Sequence, residues 1–319
     1  MNNEKLTISP APHMATEESV PRIMYAVIYS LIPAGLAAGD FFGLRAIALI
    51  AICIVTSMAT EYVFQKLRAK PASFLDGSAI ITGLLLAYTL PSSIPFYMAI
   101  IGVVVAVVIG KQIFGGLGHN IFNPALVGRA FLVATFPVAM ATWTLPGRGF
   151  GRMADALTGA TPLSLMKFDS QATAISKMFF GGIGGSLGET SALALLAGAA
   201  YLYYKGYIEW RIPLGFIGTT AAISTVLWLV DPSRYPNPVF SVLAGGLILG
   251  AFFMATDYVT SPITPLGKLI FGIGGGSLVI IIRFWGGMQE GVMYAILLMN
   301  AVTPLINLYT KPKPFGSVR

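Results

Sequence analysis

The chain has 319 residues, 55% of them hydrophobic and only 10% Asp, Glu, Lys or Arg, against about 25% charged in ordinary soluble domains. With a mean hydropathy of +0.77, it carries more apolar surface than one aqueous core hides, so a soluble globule is excluded and lipid is the expected solvent. One cysteine, Cys53, excludes an intrachain disulfide framework and a four-thiolate iron–sulfur or zinc site; two histidines, His13 and His119, argue against bis-histidine haem because His13 lies in a polar leader.

Residues 1–21 are polar and contain Glu4, Glu17 and Glu18, whereas a secretory signal starts basic and turns apolar. This segment is expected to stay as a cytoplasmic leader. Crossing about 30 Å of hydrocarbon takes roughly 17–25 helical residues. Residues 23–39, 77–110, 130–147, 212–230, 235–256 and 291–310 contain no Asp, Glu, Lys, Arg or His, and 77–110 is long enough for two passes broken at Pro91 to Pro95. With 46–64, 190–204 and 269–282 added, the pattern predicts ten helices at 22–39, 42–66, 77–90, 94–112, 124–142, 189–204, 211–230, 238–256, 266–283 and 288–308. The expected fold class is all-α and integral to the membrane: five helices over 22–142, a loop over 143–188, five helices over 189–308 and a cytoplasmic tail over 309–319. The loop contains Trp143, Phe150, Met153, Met166, Phe168, Met178 and Phe179, which predicts that it packs onto the rest.

Lys and Arg in the short loops set the orientation. With the amino terminus inside, twelve fall on the cytoplasmic side, Lys111 among them, and only Arg45, Arg234 and Arg283 fall outside. Both termini are then cytoplasmic and 143–188 is extracytoplasmic. This asymmetry and anionic lipid headgroups account for the net charge of +7 without a nucleic acid partner.

Two regions echo each other. Gly83 to Tyr88 resembles Gly246 to Phe252, each followed by a Pro-rich turn, and Lys111-Gln112-Ile113-Phe114-Gly115-Gly116 resembles Arg283-Phe284-Trp285-Gly286-Gly287. Because each half holds an odd number of crossings, the second is expected to be inverted relative to the first, with a pathway at their interface. Gly181 to Gly185 and Gly272 to Gly276 are not read as nucleotide loops: no strand precedes them and no Gly-Lys-Ser/Thr follows, so close helix packing or a hinge accounts for them.

Ionisable residues inside predicted spans are Glu61, Asp76, Arg129, Asp257 and Glu290. Asp76, Asp257 and Glu290 lie near predicted helix ends, as solvated boundary charges or as oxygen ligands and proton relays on an ion pathway. Gly115 to Phe131 contains Asn120 and Asn123; Asn123 is suited to cap a helix whose first residue is Pro124, and the two amides satisfy a broken backbone or hold a ligand. In the long loop, Asp155-Ala156-Leu157-Thr158-Gly159-Ala160-Thr161-Pro162 is an ordinary polar turn or a site where Thr161 offers a nucleophilic oxygen, Asp155 orients a metal or proton, and Gly159 and Ala160 admit a modifying enzyme to the backbone.

The run from Asp155 to Thr161 resembles the flavin attachment motif of the RnfD/NqrB family, membrane subunits of respiratory ion pumps. Gly115 to Phe131 and Ser9-Pro10-Ala11-Pro12-His13 extend the likeness to about Tyr309, and without the extra leader of the NqrB branch the chain is nearer RnfD. The resemblance implies FMN joined through its phosphate to Thr161 by a flavin transferase, and a second, non-covalent flavin, riboflavin, held by Asn120 and Asn123. It implies a subunit of an Rnf complex, a ferredoxin:NAD oxidoreductase driving Na+ or H+ across the bacterial cytoplasmic membrane, with an extracytoplasmic flavoprotein among its partners. It also implies that acidic residues near Asp76, Asp257 and Glu290 serve ion uptake. The competing expectation is a small-solute channel or secondary transporter built like urea and ammonium channels; fold alone does not separate the two.

Overall fold

The structure, a computed structural model, describes residues 18–70, 75–147, 158–169, 171, 173–288 and 290–312. Helix α1 (Val20–Phe42) starts at the Ser19 cap with Pro21 in its first turn, and α2 (Leu44–Leu67) follows after Gly43 alone, whose φ of 71° a side chain would strain. Next come α3 (Ser78–Tyr88) and α4 (Phe96–Val107), which runs into a π-helical turn at Val108–Gln112. The first half ends with α5 (Pro124–Thr135) and the short α6 (Pro137–Ala141). The long loop follows, with two short helices, α7 (Pro162–Asp169) and α8 (Ile175–Phe180). After it come α9 (Ala192–Tyr204), α10 (Arg211–Val230), α11 (Pro238–Leu243), α12 (Leu247–Leu249) with a π-turn at Gly250–Met254, α13 (Pro265–Trp285) and α14 (Val292–Thr310).

Five of these helices, α1, α2, α10, α13 and α14, are long and apolar enough to cross a membrane, and shorter apolar helices fill the space between them. The protein is thus a multi-pass α-helical membrane protein. The sequence places helices in the right regions but draws two of them too long. The stretch predicted at 238–256 breaks at Ala244 to Gly246, and that at 124–142 breaks at Phe136 before Pro137. A helix-breaking Pro and two adjacent glycines with φ of 63° cause these interruptions. At Ala244 to Gly246 the interruption is tolerated because the freed carbonyls find a donor within the protein. One such carbonyl set, at Ser241, Ala244 and Gly245, receives the Arg283 guanidinium.

Close helix contacts rest on small residues. A Cβ on Gly83 of α3 would lie 2.6 Å from the Cys53 carbonyl oxygen of α2, and one on Gly272 of α13 would lie 2.7 Å from the Ile212 oxygen of α10. The Gly272 to Gly276 run is therefore a packing surface. Gly83→Val is expected to force α2 and α3 apart and to destabilise the protein by about 1–3 kcal/mol, as overpacking does. A detergent melting curve identical to that of the parent chain would contradict this contact.

The first half meets the second where α1 packs on α9 and α5 on α14. Between them a turn enters the core: Leu187 and Gly188 donate their N–H groups to the carbonyls of Leu90 and Tyr88 at the end of α3 (3.1 and 2.8 Å). Connections fall at two ends. At one, Tyr25 donates to the Leu75 carbonyl, Lys70 to that of Gly115, and Tyr207 to Glu18. At the other, Arg45 donates to the Ser92, Ser93 and Ile94 carbonyls, and Gly147 to the Phe41 carbonyl.

The long loop lies at this second end and is largely structured, which departs from a purely helical fold. Its strands β1 (Trp143–Thr144) and β2 (Thr158–Gly159) pair antiparallel, Trp143 opposite Gly159. Met178 and Ile183 of the loop are buried with Phe240 and Ala244, with Leu163 and Met166 packed against them.

Candidate functional site

Two sites lie at opposite ends. At the end away from the long loop, a cavity of about 100 Å3 opens between the halves. Its walls are mainly apolar, from residues such as Ile23, Met24, Ile81, Leu85, Phe252 and Phe253, and its polar groups include Ser78, Lys111, Asn120, Asn123 and Asp257. The sequence-predicted asparagines and one of the predicted acids thus converge here.

The two asparagines do different work. Asn123 is the α5 cap: its Oδ1 accepts from the N–H groups of Ala125 (3.1 Å) and Leu126 (3.4 Å), and its Nδ2 donates across the halves to the Met254 carbonyl (3.3 Å). Asn120 precedes the helix, so the two do not share a helical face; the loop, not a helix turn, brings them together. Asn120 donates to the Phe122 carbonyl (3.2 Å), and its amide oxygen has no donor among the described residues. It is the asparagine with capacity left for a ligand.

Beside the cavity lies a buried chain of polar groups. Lys111, 2% exposed, donates to both oxygens of Glu61 (3.0 and 2.7 Å) and to Ser78 Oγ (2.6 Å). Ser78 donates in turn to Asp76 Oδ1 (2.6 Å), which also accepts the Ser78 N–H (2.8 Å) and so caps the start of α3. Gln65 donates to Glu61 (3.1 Å). Across the cavity, Asp257 accepts from the Val259 N–H (3.3 Å) and the Thr260 hydroxyl (3.2 Å). Lys111, which the charge pattern counts as a cytoplasmic loop cation, is instead the buried partner of Glu61. The cost of burying the two groups is offset by their pairing and hydrogen bonds.

The third predicted acid, Glu290, lies at the loop end. It accepts from Arg129 Nη2, while Arg129 Nη1 is 4.0 Å from Oε1 of Glu189. Glu189 closes the turn at Leu187 and Gly188, 8% exposed, with that oxygen bonded to no donor among the described residues. Sequence patterning singles out neither Lys111 nor Glu189 as a site residue and gives Glu61 no role beyond its place in a span. One signal is available: Arg129 stands inside an apolar helix, and a cation at that depth calls for acidic partners.

At the loop end, Thr161 sits at the N-terminus of α7. Its Oγ1 accepts the Ser164 N–H (3.1 Å) and shares a hydrogen bond with Ser164 Oγ (2.7 Å), and the residue is 6% exposed. This is the geometry of an N-cap, where backbone N–H groups and the helix dipole favour a negatively charged group. Gly159 pairs in the hairpin, where a Cβ would run into the Leu145 side chain. Thr158 pairs with Thr144 in the backbone register, Ala160 is exposed, and Asp155 lies outside the described residues. Lys167, nearly two turns on, donates to the carbonyls of Arg283 (3.0 Å), Gly286 (2.7 Å) and Met288 (3.0 Å), fastening α7 to the end of α13. Burial pushes its ammonium below the usual lysine range.

Both sites carry groups that a flavin can engage. One offers a hydroxyl at a helix N-terminus, the place for a phosphate. The other offers an apolar cavity with a spare amide acceptor.

Comparison with known proteins covers nearly the whole chain. The profile of the NQR2, RnfD, RnfE family matches residues 7–316. A subunit of the proton-translocating ferredoxin:NAD+ oxidoreductase complex from Clostridium ljungdahlii is 46% identical over 324 residues, 98% of this chain and 97% of the relative. The corresponding subunit of the Na+-translocating ferredoxin:NAD+ oxidoreductase complex of Acetobacterium woodii is also 46% identical, over 321 residues, 99% of this chain and 97% of the relative. Its counterpart in an ion-translocating oxidoreductase complex from Stutzerimonas stutzeri is 40% identical, covering 93% of this chain and 92% of its own length.

Proposed function

We propose, because this chain belongs to the NQR2, RnfD, RnfE family, that it is the flavin-carrying membrane subunit of an ion-translocating ferredoxin:NAD+ oxidoreductase, the Rnf complex. The end-to-end match to relatives named for the same component of such complexes carries this reading. As a subunit of a redox enzyme complex it completes no catalytic cycle alone. Its partners are the other Rnf subunits, including an extracytoplasmic flavoprotein, together with a flavin transferase during maturation and the lipids of the bacterial cytoplasmic membrane. In this reading the chain crosses ten times in two inverted five-helix repeats, both termini are cytoplasmic, and 143–188 is extracytoplasmic. The transported ion is Na+ or H+.

Thr161 is read as the attachment point of FMN, esterified through its phosphate, with Asp155, Thr158, Gly159 and Ala160 as the recognition sequence for the transferase. The hydroxyl is covered by the first turn of α7 and engaged by Ser164, so that turn must open for esterification. Once attached, the phosphate charge lies at the helix N-terminus, which stabilises it. The cavity at the other end is read as the seat of riboflavin. Asn120 faces its polar edge, and Asn123 holds the wall by capping α5 and tying it to the Met254 carbonyl. A flavin supplies electron transfer in ones or twos; the chain positions it, excludes water and tunes it. Asp76, Asp257 and Glu290 are read as ion-pathway groups. Asp76 connects through Ser78 and Lys111 to buried Glu61, and Glu290 to Arg129 beside Glu189.

The asparagines separate by experiment. Asn120→Leu is expected to remove acid-extractable flavin from the purified complex while leaving its melting temperature unchanged. Asn123→Ala is expected to destabilise by about 1 kcal/mol through loss of the cap. Retention of the full extractable flavin content in Asn120→Leu would remove that site from the proposal.

A further inference from the structure

Beside α7 a second cavity, of about 260 Å3, opens at the loop end. Three cations border it, Lys167, Arg234 and Arg283, and no carboxylate among the described residues does. Two buried donors in its wall have nothing to bond. Arg283, 3% exposed, gives Nη1 to the Ser241 carbonyl (2.6 Å) and Nη2 to the carbonyls of Ala244 (2.7 Å) and Gly245 (3.1 Å), but its Nε has no acceptor among the described residues. Ser241, 2% exposed, likewise has an unpartnered Oγ. Leaving a buried polar group unsatisfied costs about 1–3 kcal/mol, and a ligand presenting acceptors relieves both at once. The remaining wall is apolar and aromatic: Leu163 and Met166 come from α7, and Tyr235 meets Phe284 edge to face with ring centroids 5.2 Å apart.

We propose that this cavity is the bed for the isoalloxazine ring of the group carried on Thr161, with Arg283 Nε and Ser241 Oγ donating to its polar edge. The inference rests on the reading of Thr161 as the flavin attachment point. Leu163, Met166 and Lys167 lie at helical spacing on one face of α7, and that face lines the cavity immediately after Thr161. Lys167 holds it there through the three carbonyls at the end of α13. The charge argues in the same direction. An isoalloxazine that has taken up two electrons and one proton is an anion, so a cationic bed bordered by no described carboxylate favours the reduced form and raises the potential.

The test uses the whole complex, purified from a host that has the transferase, with the variants Ser241→Ala and Arg234→Met. Because the Ser241 hydroxyl bonds nothing among the described residues and Arg234 is exposed, a purely structural role predicts no change in either. The bed predicts intact covalent attachment, seen as in-gel fluorescence at the mass of the chain. It also predicts a reduced-to-oxidised ratio about tenfold lower at a fixed applied potential in the double variant, equivalent to about 30 mV for a two-electron couple. A fluorescent band with a redox titration superimposable on that of the parent complex overturns the bed and leaves the attachment standing. Absence of fluorescence at this mass in the parent complex itself overturns the attachment, and the bed with it.

Discussion

Thr161→Ala is expected to abolish covalent flavin and, with it, electron transfer from ferredoxin to NAD+ through the complex. The substitution removes the single oxygen that esterification requires, and Ser164, one turn along α7, lies outside the Asp155 to Thr161 motif that the transferase reads. The structural cost is small by comparison. Loss of an N-cap hydroxyl costs about 1 kcal/mol, and α7 keeps its anchor through Lys167. The variant complex should therefore assemble and melt close to the parent while losing the fluorescent band and the electron flux together. Thr161→Ser, which retains the oxygen, should restore part of both. A Thr161→Ala complex that transfers electrons at the parent rate would reduce this chain to a scaffold in the redox pathway.

The second large effect concerns stability. Lys111→Met leaves the Glu61 carboxylate, fully buried, without its cation, and stranding a buried charge costs about 3–5 kcal/mol. The double substitution Glu61→Gln with Lys111→Met removes both charges and should recover most of that loss, because a buried pair replaced as a unit is often close to neutral. Thermal denaturation in detergent reads both values. A single-variant loss below about 1 kcal/mol would fit an exposed pair and contradict the burial of this one. The double variant also separates folding from function: with stability restored, loss of ion uptake would place the Glu61, Lys111, Ser78 and Asp76 chain on the pathway. Unimpaired uptake would leave it a structural link between α2, α3 and α4.

Which features are legible in the sequence follows from how far apart the determining residues lie. Long charge-free runs mark α1, α2, α10, α13 and α14, because lipid imposes a composition that can be read along the chain. The cap at Asn123 is visible for the same local reason, Asn followed by Pro at the first helical position. The break between α11 and α12 is not, since Gly245 and Gly246 sit in an apolar run that reads as continuous helix. What stabilises the break, Arg283, is about 40 residues away. Lys111 is misplaced by charge counting because a cation at a predicted helix end looks solvated, and its carboxylate partner lies 50 residues earlier in the chain. Composition marks the packing of the long loop in part: Trp143, Met166, Met178 and Phe179 pack as expected, Phe168 is exposed, and Phe150 and Met153 lie outside the described residues. Its anchoring by Lys167 to three carbonyls leaves no such trace. The two orphaned donors at Arg283 and Ser241 are likewise products of folding and appear only in three dimensions.

The most direct test is the mass of the peptide spanning Met153 to Lys167, prepared from the complex in a host with the transferase. The account predicts an added mass equal to FMN less one water, localised to Thr161 by fragmentation. A bare peptide at full yield would contradict it and return the chain to a membrane subunit with no covalent redox group.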